Sequence, residues 1–324
     1  MSNREKFRGV YTVVPTPLRG DERIDHAGLA HLINYYIESG CNGLLVLGSG
    51  GEFPYFNFEE RVAIVKTAAK AARKRVPVLA GAGFCGLAET LAFVDAAAVP
   101  GMDGFLVILP TYHPIGIDEA VSFYTRVVSA SKKPVLYYHY PQMTELFFPA
   151  AALARILLLE GIAGAKESSL NLGEIRAHLE IVKVKDFALF SGNSFSLVKT
   201  LAMGGNGVIC QIPSFAPLLV TGCYEAATAG DRARADTLQR KIMDLLPFLN
   251  TFGLAPSVQK RAYSLISRMP FSLKSKNRSR HAVIKETLRQ MGHPVTARVR
   301  SPLPQIGGGD REIISEFISR LKPL

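Results

Sequence analysis

The sequence predicts an α/β fold, a closed (β/α)₈ TIM barrel with an appended C-terminal helical region. Three observations carry that expectation. Eight apolar, strand-like runs follow one another with starts roughly 20 to 34 residues apart, the spacing of one βα unit each. Segments of helical periodicity lie between them. The runs are continuously apolar rather than alternating, as expected of strands covered on both faces.

In chain order the runs are GVYTVVPTP from Gly9, GLLVLG from Gly43, PVLAGAG from Pro77, GFLVILP from Gly104 and PVLYYHYP from Pro134. IAGAKES from Ile162, FALFSG from Phe187 and GVICQI from Gly207 complete the set. After the first run, Asp25 opens a helix whose Leu29, Leu32, Ile33, Tyr36 and Ile37 share one face. After the second, Asn57 caps a helix with Glu59 and Glu60 in its first turn, ahead of Val62, Ile64, Val65 and Ala69. Eight units close a barrel, whereas six or seven would leave an open, doubly wound sheet. The barrel is expected over residues 1–230. Beyond Ala229-Gly230-Asp231 the pattern becomes purely helical, over 231–250, 255–268 and 279–291. A loop bearing Pro302, Pro304 and Gly307 to Gly309 precedes a last helix at 310–321, so 231–324 reads as a helical region packed on the barrel.

Of the 324 residues, 48% are apolar and 20% charged, which argues against disorder or a fibrous repeat. No run approaches the roughly 18 apolar residues of a membrane span, and Met1 to Lys6 lack the apolar core of a secretory signal. A cytoplasmic protein without membrane contact is expected. Cys41, Cys85, Cys210 and Cys223 form no CxxC pair, so neither a zinc site nor a disulfide framework is indicated. The net charge of +11 and the crowding of Arg268, Lys274, Lys276, Arg278, Arg280 and Lys285 raise the question of nucleic acid. No helix-turn-helix, zinc or RNA-binding signature accompanies them, and a solvated helical face that favours anionic substrates is the better account.

Gly81-Ala82-Gly83-Phe84-Cys85-Gly86 matches GxGxxG, with Asp103 twenty residues beyond Gly83. A dinucleotide site places its acid at the end of the second strand, yet Asp103 precedes the run from Gly104. A tight βα turn explains the glycines better, and no cofactor is expected.

Working groups of such a barrel sit where strands end. Three ends are chemically unusual: Gly48-Ser49-Gly50-Gly51-Glu52, Tyr137-Tyr138-His139-Tyr140-Pro141 and Ala165-Lys166-Glu167-Ser168. A solvated lysine has only about one molecule in 2500 unprotonated at pH 7, a handicap of roughly 4.6 kcal/mol for a nucleophile. Desolvation lowers its pKa, and a neutral amine can form a Schiff base with a ketone. Lys166 could instead be structural, paired with Glu167 or snorkelling to water. Adjacent strand residues point to opposite faces, however, which places Glu167 poorly for that pairing. The backbone N–H groups of residues 48–51 can form an anion nest, to which the Ser49 hydroxyl adds a donor. Tyr138 offers a phenol for proton transfer or, alternatively, an aromatic filler for the core.

Together these motifs resemble the dihydrodipicolinate synthase / N-acetylneuraminate lyase family of pyruvate-dependent class I aldolases. The likeness runs from Tyr11-Thr12-Val13-Val14-Pro15-Thr16-Pro17 to Pro256-Ser257-Val258-Gln259-Lys260. The family's G-[ST]-[STG]-G-E stands as Gly48 to Glu52, its Y-N-x-P as Tyr138 to Pro141, and its G-x-K-[ED] as Gly164 to Glu167. The resemblance implies Lys166 as the Schiff-base residue, Tyr138 as proton shuttle, and Ser49 with the Gly50 amide as carboxylate holder. It further implies Tyr112 as a tyrosine contributed across a subunit interface, and Ile209 as a backbone carbonyl near the keto acid. Pyruvate with an aldehyde as substrates, no metal, and a homo-oligomer, tetramer or dimer, follow from the same likeness.

The synthase branch places an arginine two residues after the Y-N-x-P proline, where this chain has Met143; without that bidentate carboxylate partner a carboxylated aldehyde is disfavoured. His139 replaces the usual asparagine and Gly50 a common threonine. The GSGGEF form and Gly207-Val208-Ile209 look closer to enzymes of 2-keto-3-deoxy sugar acids. The expected reaction is cleavage of such an acid, or the reverse condensation. A dehydratase using the same imine and a non-catalytic anion-binding barrel are the other readings. Phe53, Met143 and Phe215 are expected to make the site less polar.

Overall fold

The computed structural model describes residues 1–83, 86–110, 112–169, 171–245 and 279–321. All eight expected runs are strands: β1 Gly9–Val13, β2 Gly43–Val46, β3 Val78–Ala82, β4 Gly104–Ile108, β5 Val135–His139, β6 Ile162–Glu167, β7 Ala188–Ser191 and β8 Gly207–Cys210. Each pairs in parallel with the next, and β8 pairs with β1, which closes the barrel.

Every strand residue is buried because the alternating side chains enter one of two cores. Tyr11, Leu45, Leu79, Leu106, Leu136, Phe190 and Ile209 fill the barrel interior. Val10, Leu44, Val78, Phe105, Val135, Leu189 and Val208 face the surrounding helices. The expected helix starts are present. Asp25 accepts from the Gly28 amide at the head of helix His26–Glu38. Asn57 and Glu60 form a reciprocal capping box on helix Phe58–Ala72. Between β5 and β6 the register shifts at Val135/Leu136, and beyond that irregularity Tyr138 lies opposite Lys166 and His139 opposite Glu167.

The declined fingerprint is structural where it is described. A side chain on Gly81 or Gly83 would collide with the carbonyl of Leu47 or Ile108, so these glycines permit strand ends to approach. Asp103 lies at the opposite end of the barrel, accepting from the Val78 amide and pairing with Lys6 at 3.1 Å. Phe84 and Cys85 lie outside the described residues, while Cys41, Cys210 and Cys223 are buried and free.

Past β8, helix Pro217–Thr228 packs on helix Arg232–Asp244, followed by helices Arg280–Gln290 and Gly308–Leu321. The helix expected over 255–268 and the basic residues Arg268, Lys274, Lys276 and Arg278 lie outside the described residues. The C-terminal region grips the barrel through buried charge. Lys285 meets Glu52 at 2.5 Å and donates to the Arg298 carbonyl at 2.8 Å, and the Arg300 amide donates to Glu52 at 2.8 Å. Phe215 belongs to this outer packing, 6.0 Å from Phe317 between ring centroids, rather than to the polarity of the mouth.

Candidate active site

Lys166 is the penultimate residue of β6, and alternation turns it inward while Ala165 and Glu167 turn out. Its side chain is almost wholly buried, with residue exposure of 4%. Nζ donates to the Tyr138 hydroxyl at 3.1 Å and lies 4.2 Å from the centre of that ring. Burial drives the Lys166 pKa down to about 8, against smaller opposing effects of Tyr140 and Cys210. Among the described residues no carboxylate pairs with it.

Glu167, the obvious counter-ion in the sequence, is committed elsewhere. On the outer face it lies 2.9 Å from His178 and 3.8 Å from His139, and accepts from the Ser169 amide at 2.6 Å. Burial raises its pKa, but the contacts with His178, His139 and Ser169 outweigh that and hold the carboxyl below its ordinary value. His139 extends this outer array to the Tyr137 hydroxyl at 3.0 Å. Its pKa is lowered by burial, against the pull of Glu167. The departure from the Y-N-x-P asparagine therefore sits behind the strand, away from the amine.

Tyr138 is the inward partner of Lys166. Burial pushes its phenol up to about 12, with the Ser49 and Ser168 hydroxyls partly offsetting the rise. Tyr140, two residues on, stacks against it at 5.5 Å and 24°. Ser49 begins the single 3₁₀ turn Ser49–Gly51 that follows β2, and its hydroxyl joins this group at the Tyr138 phenol. Gly50 is buried in the same turn. Glu52 then takes a left-handed backbone, φ 62°, which reverses the chain and carries its carboxylate to Lys285. The Ser49 carbonyl meets His281 Nε2 at 2.8 Å. A carbonyl oxygen only accepts, so His281 carries its proton on Nε2.

Lys166, Tyr138 and Ser49 are thus brought together. Ile209 lies inside the barrel on β8, opposite Tyr11 of β1. Tyr112 is not gathered in: the residue is 80% exposed, and its ring rests edge-on against His113 at 4.8 Å. Met143 is 40% exposed and Phe53 packs on the inner core. Ser168 and Tyr140 were missed by sequence reasoning, although a two-residue step from Lys166 and Tyr138 points to both. His281 and Lys285 carry no local signal, since they reach the site from 232 and 233 positions away, counted from Ser49 and Glu52. The described residues contain no cluster of three or more His, Cys, Asp or Glu able to hold a metal ion.

An amine whose pKa burial has lowered, beside a phenol that the Ser49 hydroxyl also reaches, can condense with a ketone in its neutral form. Known proteins share this frame. Residues 6–268 match the model of the dihydrodipicolinate synthetase family. A probable 2-dehydro-3-deoxy-D-pentonate aldolase, YjhH of Escherichia coli K12, is 31% identical over 244 residues, covering 74% of this chain and 81% of its own. The 4-hydroxy-tetrahydrodipicolinate synthase of Thiobacillus denitrificans is 32% identical over 235 residues, 72% of this chain and 79% of its own. Among solved structures, YagE of Escherichia coli K12, a prophage protein of the dihydrodipicolinic acid synthase family in complex with pyruvate, superposes with a TM-score of 0.84 at 27% identity. That match covers 98% of this chain and 99% of the other. With its eight-stranded barrel and the three motifs at their strand ends, the chain belongs to the dihydrodipicolinate synthetase family of lyases.

Proposed function

We propose that this protein is a Schiff-base aldolase that cleaves a 2-keto-3-deoxy sugar acid, or a related 2-keto acid, to pyruvate and an aldehyde, and that catalyses the reverse condensation. The observation that carries the reading is the buried Lys166 amine, pKa about 8, at 3.1 Å from the Tyr138 hydroxyl.

Lys166 Nζ attacks the C2 carbonyl, and the carbinolamine loses water to leave a protonated imine. Tyr138 carries the protons of these steps, helped by the adjoining Ser49 and Ser168 hydroxyls. The C4 hydroxyl then gives up its proton, the C3–C4 bond breaks, and its electron pair moves into the imine to form an enamine. The aldehyde departs, C3 is protonated, and hydrolysis of the imine returns pyruvate and the free amine. Ser49 and the Gly50 amide hold the substrate carboxylate, with the Ile209 carbonyl beside the keto acid. No cofactor is required.

YjhH, named as an aldolase of a 2-dehydro-3-deoxy acid, supports this substrate class. Met143 opposes the synthase reading, because a thioether cannot replace a guanidinium at a carboxylate. Tyr112, exposed in the single chain, acts in a neighbouring subunit's site, so the working form is a homo-oligomer, a tetramer or a dimer, in the cytoplasm. The described residues include no helix long and apolar enough to cross a membrane.

Borohydride added with pyruvate is expected to leave a reduced adduct on Lys166, located by mass spectrometry. An unmodified Lys166, or full activity in Lys166→Ala, would overturn the proposal. Products from a panel of 2-keto-3-deoxy acids then separate the chemistries: released pyruvate marks the aldolase, and an uncleaved, dehydrated acid the dehydratase. Mixing Tyr112→Phe and Lys166→Ala subunits should restore part of the activity if Tyr112 works across an interface.

A further inference from the structure

The carboxylate nest has a gap in its own chemistry. Position 50, where the family motif admits serine, threonine or glycine, is a glycine in this chain and offers no side-chain donor. The structure shows what fills the space. A Cβ built on Gly50 would fall on the side chain of Gln211, 2.7 Å from Cδ and 2.8 Å from Cγ, with Nε2 nearer still.

Gln211 follows β8, and alternation from Ile209 directs it to the inner face of the barrel. Its backbone opens the 3₁₀ turn Ile212–Ser214, which is held firmly on β1. Ser214 Oγ donates to the Val13 carbonyl at 2.8 Å, and the Ser214 carbonyl accepts from Tyr36 at 3.1 Å. The stem of Gln211 is therefore fixed while its half-buried side-chain amide has no hydrogen-bond partner among the described residues. On the other side of the nest, His281 holds the Ser49 carbonyl. The Ser49–Gly50 peptide is trans, so the Gly50 N–H points away from His281.

We infer that Gln211 is a substrate-binding residue whose side-chain amide occupies the place of the side chain missing at Gly50 and donates a hydrogen bond to the carboxylate of the bound 2-keto acid. The inference rests on the Schiff-base reading above. A primary amide has two N–H donors, and a donor aimed at a carboxylate contributes more than one aimed at a neutral group. Gly50 and Gln211 thus form one unit: the glycine exists to admit the amide, and the amide supplies the donor.

The test needs no aldehyde. Borohydride inactivation is followed at increasing pyruvate, giving a half-saturating concentration and a limiting rate. Gln211→Ala should raise the first about tenfold or more and leave the second nearly unchanged. Gln211→Glu, of the same size but anionic, should lose more than the alanine variant. Methyl pyruvate, which presents the ketone without the anion, should show no such difference between the proteins. Gly50→Thr should weaken pyruvate saturation in the presence of Gln211, and the double variant Gly50→Thr with Gln211→Ala should recover it, because the hydroxyl then has room. Unchanged pyruvate saturation in Gln211→Ala, or an equal loss with methyl pyruvate, would overturn the inference alone. Failure of the unsubstituted protein to form any adduct would overturn the Schiff-base reading and this inference with it.

Discussion

Burying Lys166 should cost the fold stability that its removal would restore. The residue is enclosed, and its pKa falls from the ordinary 10.5 to about 8 because the charged form is desolvated. That difference corresponds to about 3 kcal/mol between the protonation states. Between about pH 8 and 10.5 the unfolded chain binds the proton and the folded one does not, so the stability of the protein rises with pH across that window. Below pH 8 both states are protonated and the full cost is present; above 10.5 it has gone. Lys166→Met retains an unbranched side chain without the charge, and should stabilise the protein by about 3 kcal/mol at pH 7. The advantage should shrink to a fraction of that by pH 10.5. Urea unfolding of both proteins at the two pH values, read by circular dichroism, measures the difference. A variant no more stable than the parent at pH 7, or an advantage that does not change with pH, would refute the desolvation argument. The same shift leaves about one amine in ten neutral at pH 7, so the rate of borohydride trapping should climb through pH 8.

Other consequences follow from the same geometry. Tyr138→Phe removes the hydroxyl 3.1 Å from Nζ and should lower turnover by about 10²- to 10⁴-fold, while Lys166 remains trappable by borohydride at a slower rate. Lys285→Ala leaves the Glu52 carboxylate buried without its cation and should destabilise the protein by about 3–5 kcal/mol; the double variant Lys285→Met with Glu52→Gln should recover much of the loss in thermal melting. The outer array makes the fold acid-sensitive. Glu167, held below the ordinary carboxylate value, contributes stability at neutral pH that is lost as pH falls through its folded pKa, and His139, lowered by burial, adds a loss that begins below about 6.5. In stability measured from pH 7 to 4, the decline below about pH 4.5 should be less steep in Glu167→Gln than in the parent, whereas between about pH 6.5 and 4.5 the variant should decline no less steeply, because His139 then lacks the carboxylate that holds its pKa up.

Much of this protein is legible one segment at a time. The eight strands begin within one residue of the expected positions, because a strand buried on both faces needs a continuous apolar run whatever it pairs with. Asp25 and Asn57 mark helix starts through bonds to amides three residues away. Inward Lys166 and outward Glu167 follow from the two-residue period of a strand. Barrel closure decided the rest. Only when β8 meets β1 does Gln211 come to lie against Gly50 of the loop after β2, and only the folded C-terminal helix delivers His281 to Ser49 and Lys285 to Glu52. The buried array of Tyr137, His139, Glu167 and His178 likewise needs β5, β6 and helix Leu172–Val182 in place together. Periodicity and capping are short-range consequences of backbone geometry, and any local stretch displays them. A proton's affinity for Lys166, or the filling of a glycine's empty space, depends on which distant groups exclude water around it, and that exclusion exists only after the chain has closed on itself.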